Sequence, residues 1–203
     1  MIVYYNFMDR ENEAGEIETL PFLRYSNVFH LDQCEGIESK LEPIQDNDIE
    51  PIQAAQDILQ SYIARSGVTL NHVQGSNQAS YSPASDKITM PAIGQFETAE
   101  EYYSTAFHEA AHSTGHKSRL NRITDYAAFG TGEYSREELV AEISAAAVMN
   151  IAGIELPQTF ENSVAYINSW SKKLREDIKA IVTASGKAQR ATDLILGVVS
   201  EPE

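Results

Sequence analysis

The chain has 203 residues, 42% of them hydrophobic, enough for one ordinary core and a small appendage. Thirty acidic residues against 15 basic ones give a formal charge of −15, a surface that repels phosphates and disfavours sequence-independent binding of nucleic acid. Cys34 is the single cysteine, which excludes an internal disulfide framework and a cysteine-based zinc finger, so a metal site would have to draw on His, Glu or Asp.

The opening MIVYYNFMDREN has no basic leader and only a short apolar run, so it does not read as a signal peptide. No apolar stretch approaches the length of a membrane span, and a bacterial cytoplasmic location with no membrane partner is expected. IVYYNF and FLRYSNVFHL are aromatic and β-branched runs that predict strands, joined by the acidic, turn-rich connector DRENEAGEIETLP. Two strands do not make a stable domain alone. Residues 1–45 are therefore set apart as an N-terminal β extension, and 46–203 as the main domain.

PIQAAQDILQSYIARSG predicts a helix over 51–67, with Pro51 at the first helical position and Gly67 after the end. Ile52, Ala55, Leu59 and Tyr62 or Ile63 would form its buried stripe. GVTLNHV, QASYS and DKITMP then predict a small antiparallel meander, with turns at Gly75, Asn77, Pro83 and Asp86. A helix is expected from Glu97 to about His116, with a Thr98/Glu101 capping box and Gly115 at its end. KSRLNRITDYAAFGTGEYS is a long loop. SREELVAEISAAAVMNIAG predicts a second long helix, with a Ser135/Glu138 capping box. Its small residues Ala141, Ser144, Ala145, Ala146 and Ala147 require a close neighbour. A third helical region after Pro157 carries Phe160, Val164, Ile167, Leu174, Ile178 and Ile181 on its apolar face, with Trp170 nearby. Gly186 is expected to break it before a last short helix, AQRATDLIL.

The chemistry concentrates in FHEAAHSTGH, residues 107–116, which holds three of the five histidines. His108 and His112 are four apart, so on a helix both rings share one face and can share one cation. Glu109, next to the first, falls where the H-E-x-x-H arrangement places a general base. A catalytic zinc needs three protein ligands and an open position. The extended pattern H-E-x-x-H-x-x-G-x-x-H fails here, because Gly115 fits but the last position is Ser118. His116 is a nearer substitute, though closing the helix C-terminus as a cation suits it better. In the next helix Glu138 and Glu142 are again four apart on one face. Glu138 is assigned as the third ligand, and Glu142 as the carboxylate that fixes a ligand histidine's tautomer, with the reverse order equally compatible with the spacing. Glu137 is expected to belong to the solvated face. DKITMP, just before the motif, suits the edge strand on which a peptidase holds an extended substrate. Tyr126 or Tyr134, in the loop between the helices, is the expected oxyanion donor. Tyr102, Tyr103, His30 and His72 are expected to be packing or surface residues.

YYSTAFHEAAHSTGHKSRLNR, REELVAEISAAAVMNIAGI and YINSWSKKLREDIKAIVTASGKAQRATDLIL, in this order, resemble the C-terminal zincin-like metallopeptidase domain of ArdC-type antirestriction proteins. YSPASDKITMP and FLRYSNVFHLDQCEGI are also similar to it. The resemblance implies an α+β zincin-like fold, with a small antiparallel sheet packed on the H-E-x-x-H helix and a following Glu-bearing helix, and a helical C-terminal part. It implies Zn2+ on His108, His112 and a helix glutamate, with Glu109 as base. The run Glu138-Leu139-Val140-Ala141-Glu142 matches the family's E-x-x-A pattern, whose first glutamate lies on the metal. The resemblance further implies that residues 1–45 are the last strands of a single-stranded-DNA-binding domain most of which is absent, so DNA is expected as a partner only through that domain. The expected function is zinc-dependent hydrolysis of a peptide or protein substrate in mobile-element biology. The alternative is a catalytically silent, metal-stabilised module that protects DNA or binds a restriction or host protein.

Overall fold

The structure, a computed structural model, describes residues 1–11, 17–30, 33–36, 46–123, 132–154 and 178–198, with the side chains of 132–135 and 178–180 outside the description. The helical region expected after Pro157 lies outside these residues up to 177. The chain divides into two compact units, Met1–Pro43 and Ile44–Glu203.

The first unit is an antiparallel ribbon of β1 (Ile2–Glu11) and β2 (Ile17–Ser26), in a register that runs from Ile2 opposite Ser26 to Glu11 opposite Ile17. Both strands extend into the stretch expected to be a connector. The ladder carries through its polar residues, helped by the cross-strand bond from the Thr19 hydroxyl to Asp9 at 2.7 Å. Conversely, β2 stops at Ser26, short of the expected end at Leu31.

The second unit begins with α1 (Gln53–Ser66). Pro51 precedes the helix rather than opening it, and Ile52 is the N-cap. Gly67 adopts a left-handed φ of 73°, and its N–H closes on the Ile63 carbonyl, as a C-terminal glycine should. The expected stripe is buried at Ala55, Leu59 and Tyr62.

The sheet departs from expectation. β3 (Thr69–His72), β4 (Ser80–Ser82) and β5 (Lys87–Met90) lie in the order β3-β5-β4. β5 runs antiparallel to β4 but parallel to β3, so the sheet is mixed rather than a plain meander. The long connection from β3 to β4 allows the crossing, because the chain passes β5's position before it returns. As the central strand, β5 spends its backbone groups on both neighbours, and its buried Ile88 and Met90 face the core. The edge strand near the H-E-x-x-H motif is therefore β4, not DKITMP.

α2 (Ala99–Thr114) opens as expected at Thr98, whose hydroxyl accepts from the Glu101 N–H at 3.2 Å. The Glu101 carboxylate reaches past Thr98 to the Glu97 N–H. α3 (Gly132–Ile151) begins three residues before Ser135, which is inside the helix and not its cap. α4 (Ile178–Leu196) runs through Gly186 without a break, and AQRATDLIL is its last part. A single glycine costs a helix about 1 kcal/mol, which the buried face of Ala184, Ala188, Ala191 and Ile195 offsets. The small residues of α3 do allow close packing. Ala141, Ser144 and Ala145 are buried, and the Ser144 hydroxyl reaches the Ala188 carbonyl of α4 at 3.3 Å. Ala146 instead faces outward. α3 packs chiefly on α2 and α4, which brings its carboxylates against the histidine helix. The Arg65 guanidinium joins α1 to the other end of α4 by bonding the Ile195 carbonyl at 2.8 Å.

Candidate metal centre

α2 is held tightly on its apolar side. Ala99, Tyr102, Tyr103, Ala106, Phe107, Ala110 and Ala111 are all buried in one cluster with α1, β5 and α3. Tyr102 and Tyr103 are packing residues, as expected. The Tyr102 hydroxyl meets His72 Nε2 at 2.9 Å, and the Tyr103 hydroxyl donates to Gln56 at 2.7 Å. Burial pushes the Tyr102 hydroxyl up to about 12, so it stays protonated. Near its C-terminus α2 is pinned by the Tyr62–Ser113 hydroxyl pair at 2.6 Å.

This anchoring fixes the direction of the motif's face. His108 and His112 Nε2 atoms converge at 3.1 Å. The Glu138 carboxylate of α3 bridges them, with Oε2 at 3.5 Å from His108 Nε2 and Oε1 at 3.4 Å from His112 Nε2. One donor atom from each of the three residues lies within 4.8 Å of the others. Zinc bonds of 2.0–2.2 Å in a tetrahedron need donors about 3.3 Å apart, so the set has the right span for such a cation. Two imidazoles and a carboxylate are also the right chemistry for a borderline metal ion.

The surroundings are strongly anionic. Glu142 Oε1 stands 3.4 Å from His108 Nδ1, the outer nitrogen, where a carboxylate fixes the tautomer. Burial disfavours charge on His108, but hydrogen bonds to Glu138 and Glu142 outweigh it and lift the ring to about 10. His112 is raised in the same way, against burial, by Glu137 and Glu138. Burial acts to raise Glu138, yet the two histidines hold its carboxyl well below the usual range. Protons thus occupy ground suited to a divalent cation.

Glu109 is 8% exposed and lies against the backbone of Tyr81 on β4. Burial raises its carboxyl, while His112 and His108 pull it down. Glu109 thus puts a buried carboxylate on the helix that carries both histidines, against the edge strand.

Other expected site residues fall elsewhere. His116 stays outside the donor cluster, with Nδ1 2.7 Å from the Ser118 hydroxyl and 3.9 Å from Asp86. Tyr126 and the side chain of Tyr134 lie outside the described residues. Glu137, expected on the solvated face, is largely covered. It takes two parallel hydrogen bonds from Arg122, at 2.7 and 2.8 Å, and its Oε1 stands 3.6 Å from His112 Nδ1. A second unforeseen group ties the β4–β5 turn to the end of α2. Asp86, at a left-handed φ of 47°, accepts from Tyr81 at 2.8 Å and from both terminal nitrogens of Arg119, which also bonds the Ser113 carbonyl. Burial of the two arginines inside a loop without periodicity leaves no pattern in the sequence. The one available signal was the presence of three carboxylates, Glu137, Glu138 and Glu142, on a helix facing histidines.

Comparison with known proteins agrees with this geometry. The MPTase-PolyVal family model, described as a zincin-like metallopeptidase, matches residues 57–187. A DNA primase TraC of Escherichia coli is 35% identical over 176 residues, which cover 87% of this chain but 12% of TraC. An uncharacterised protein, y4eC, of Sinorhizobium fredii is 32% identical over 91% of this chain and 56% of its own length. The chain thus spans little more than half of one curated relative and a small part of the other. Crystal structures of the antirestriction protein ArdC from plasmid R388 align over 96–97% of this chain and 68% of ArdC, with TM-scores of 0.56 for the metal-free and 0.58 for the Mn(II)-bound form and 31–32% identity. By its matched residues, its α+β fold and a donor set suited to a divalent metal such as zinc, the chain belongs to the MPTase-PolyVal family of zincin-like metallopeptidases.

Proposed function

We propose that this chain is a zinc-dependent peptidase domain in which His108, His112 and Glu138 hold the cation and Glu109 is the general base. The observation that carries it is the convergence of the three donors beside a buried carboxylate on the same helix. When bound, the cation supplies Lewis-acid polarisation of a carbonyl and lowers the pKa of water. Glu109 accepts the proton of the attacking water and returns it to the departing amine. Its raised carboxyl suits both halves of that exchange. β4, paired on one side by β5, offers its other edge to an extended peptide, and the Tyr81 backbone lies where strand and base meet. Glu142 orients His108. Tyr126 or Tyr134 remains the proposed oxyanion donor, on sequence position alone.

The cellular role we infer is in a bacterial cytoplasm, in the biology of mobile elements, because R388 ArdC is an antirestriction protein of a plasmid. Residues 1–45 are proposed as the end of a DNA-binding part, and the formal charge of −15 argues against DNA contact by the surface of this chain itself. Among the described residues no helix is long and apolar enough to cross a membrane.

A second reading is a metal-stabilised binding module that cleaves nothing. It is favoured by the names of the relatives, a primase and an antirestriction protein, neither of which is called a peptidase. Zinc-loaded protein and a Glu109→Gln variant, assayed on a fluorogenic peptide library, separate the two. Turnover by the first and not the second supports the peptidase. No turnover by either, with one zinc per chain, supports the binding module.

A further inference from the structure

Glu137 is oriented from one side and faces a donor on the other. Arg122 Nε donates to its Oε2 at 2.8 Å and Nη2 to its Oε1 at 2.7 Å, a two-pronged fork that leaves the carboxylate one orientation. Arg122 is itself fixed. Nη2 donates to the Ala111 carbonyl at 2.9 Å, Nη1 to the Thr114 hydroxyl at 3.0 Å, and its backbone N–H to the Gly115 carbonyl at 2.9 Å. Gly115 is needed for that approach, since a Cβ there would meet Ile123 Cγ1 at 2.7 Å and the Arg122 guanidinium at 3.2 Å. The side chain of Arg122 is only 6% exposed and that of Glu137 18%. Beyond the fork, Glu137 Oε1 stands 3.6 Å from His112 Nδ1, an ion-pair distance just past a hydrogen bond.

An imidazole can present the Nε2 lone pair to a cation only if Nδ1 carries the hydrogen, and a carboxylate opposite Nδ1 selects that form and the ring's plane. We propose that Arg122 and Glu137 are positioning residues that hold His112 ready for the cation, an inference that rests on the metal-centre reading above. The last turn of α2 thus steadies its own second histidine through a loop arginine and an α3 glutamate. The arginine also cancels the charge of Glu137, so the ring of carboxylates does not become needlessly anionic. Glu142 stands in the same relation to His108, so each histidine has its own support from α3.

The test is zinc affinity of the full chain, by competition with a chromophoric chelator, for the natural protein, Glu137→Gln and Arg122→Lys. Far-ultraviolet circular dichroism confirms folding. Glu137→Gln, close in shape, should bind zinc about 10–100-fold more weakly. Arg122→Lys should show a smaller loss in the same direction, because an ammonium cannot reproduce the fork. The visible spectrum of the cobalt(II) form should shift in Glu137→Gln. A merely structural pair would lower the metal-free melting temperature and leave zinc affinity and the cobalt spectrum unchanged, which would overturn the inference. If the natural protein binds one zinc and Glu137→Gln binds it equally well, this inference alone fails. If the natural protein binds none, the metal-centre reading fails and takes this one with it.

Discussion

The two units of the chain carry opposite exceptions to the ordinary rule of inside and outside. In the β1–β2 ribbon the large apolar side chains face out: Tyr5 is 57% exposed, Phe7 60% and Tyr25 68%. In the helical unit carboxylates are inside, with Glu138 7% and Glu109 8% exposed. A buried carboxylate is tolerated only where partners compensate its lost hydration. Here the partners are His108, His112 and the Tyr81 backbone, all from within the same unit. The exposed aromatics of the ribbon meet one another instead, with the Tyr5 and Phe7 ring centroids 5.4 Å apart. Exposed apolar residues and buried charged ones are the informative exceptions in a fold. The helical unit meets its exceptions with a donor set that suits a cation, whereas those of the ribbon are aromatic side chains on an exposed ladder.

If that contrast reflects function, the sharpest break is at Glu109. Glu109→Gln should lower peptide turnover by about 10²–10⁴-fold while zinc content stays near one per chain, since the side chain serves the proton and not the cation. Parallel elemental analysis and rate measurement check this, and full activity would exclude Glu109 as the base. Next comes Glu138. At zinc about 100-fold above its dissociation constant the natural protein should gain about 2.7 kcal/mol. For a chain of this size that is a melting temperature higher by about 5–11 °C. Glu138→Ala should lose most of that zinc-dependent rise. The comparison is between zinc and chelator for each protein, so any change in metal-free stability cancels.

The parts of this site that were legible in the sequence are those set by periodicity. His108, His112, Glu138 and Glu142 are pairs four apart on helices, and helical geometry alone places each pair on one face. The burial of Ala55, Leu59 and Tyr62 followed in the same way. What stayed hidden was set by tertiary pairing. β5 lies between β3 and β4 because of how the chain returns, which strand lengths and turn residues do not encode. Gly186 looked like a break because local propensity says so, and the apolar face of α4 overrides it. Glu137 looked solvated because it is next to Glu138 in sequence, and its role depends on Arg122, 15 positions earlier in a loop. Side-chain chemistry in the second ring of a site is carried by residues with no spacing to read.

Proton occupancy of the donors gives a weaker but directional test. His108 is raised from 6.5 to about 10 in the folded, metal-free chain, chiefly through hydrogen bonds to Glu138 and Glu142 that overcome burial. A raised folded value means that its contribution to stability is complete below 6.5 and is lost as pH rises through about 10. Glu138 is shifted the other way, so its contribution is complete above 4.5 and is lost as pH falls toward its lowered value. Metal-free protein should therefore be most stable, as far as this cluster decides, between 4.5 and 6.5, and should decline on the alkaline side. Zinc must displace the same protons, so its affinity should rise from pH 6.5 toward about 10 as the metal-free fold weakens. Melting curves across this range, with chelator and with zinc, should diverge. Parallel curves would mean that the histidines do not exchange protons for metal.

The smallest effect is expected in the ribbon, and it tests the other half of the contrast. Tyr25→Ser removes an aromatic ring that is 68% exposed, opposite Val3 in the β1–β2 register. Little burial is lost, so the change should stay within about 0.5 kcal/mol, the usual range for surface substitutions. In melting temperature that is a shift of about 2 °C or less for the metal-bound protein. Zinc affinity should not move, because among the described residues every donor and every carboxylate around them belongs to the other unit. A larger loss of stability, with a melting temperature that depends on protein concentration, would mean that Tyr25 is buried in solution against a second copy. Equal melting curves over a hundredfold range of concentration, with the small shift expected, would leave the ribbon's exposed aromatics with no part in holding this chain together.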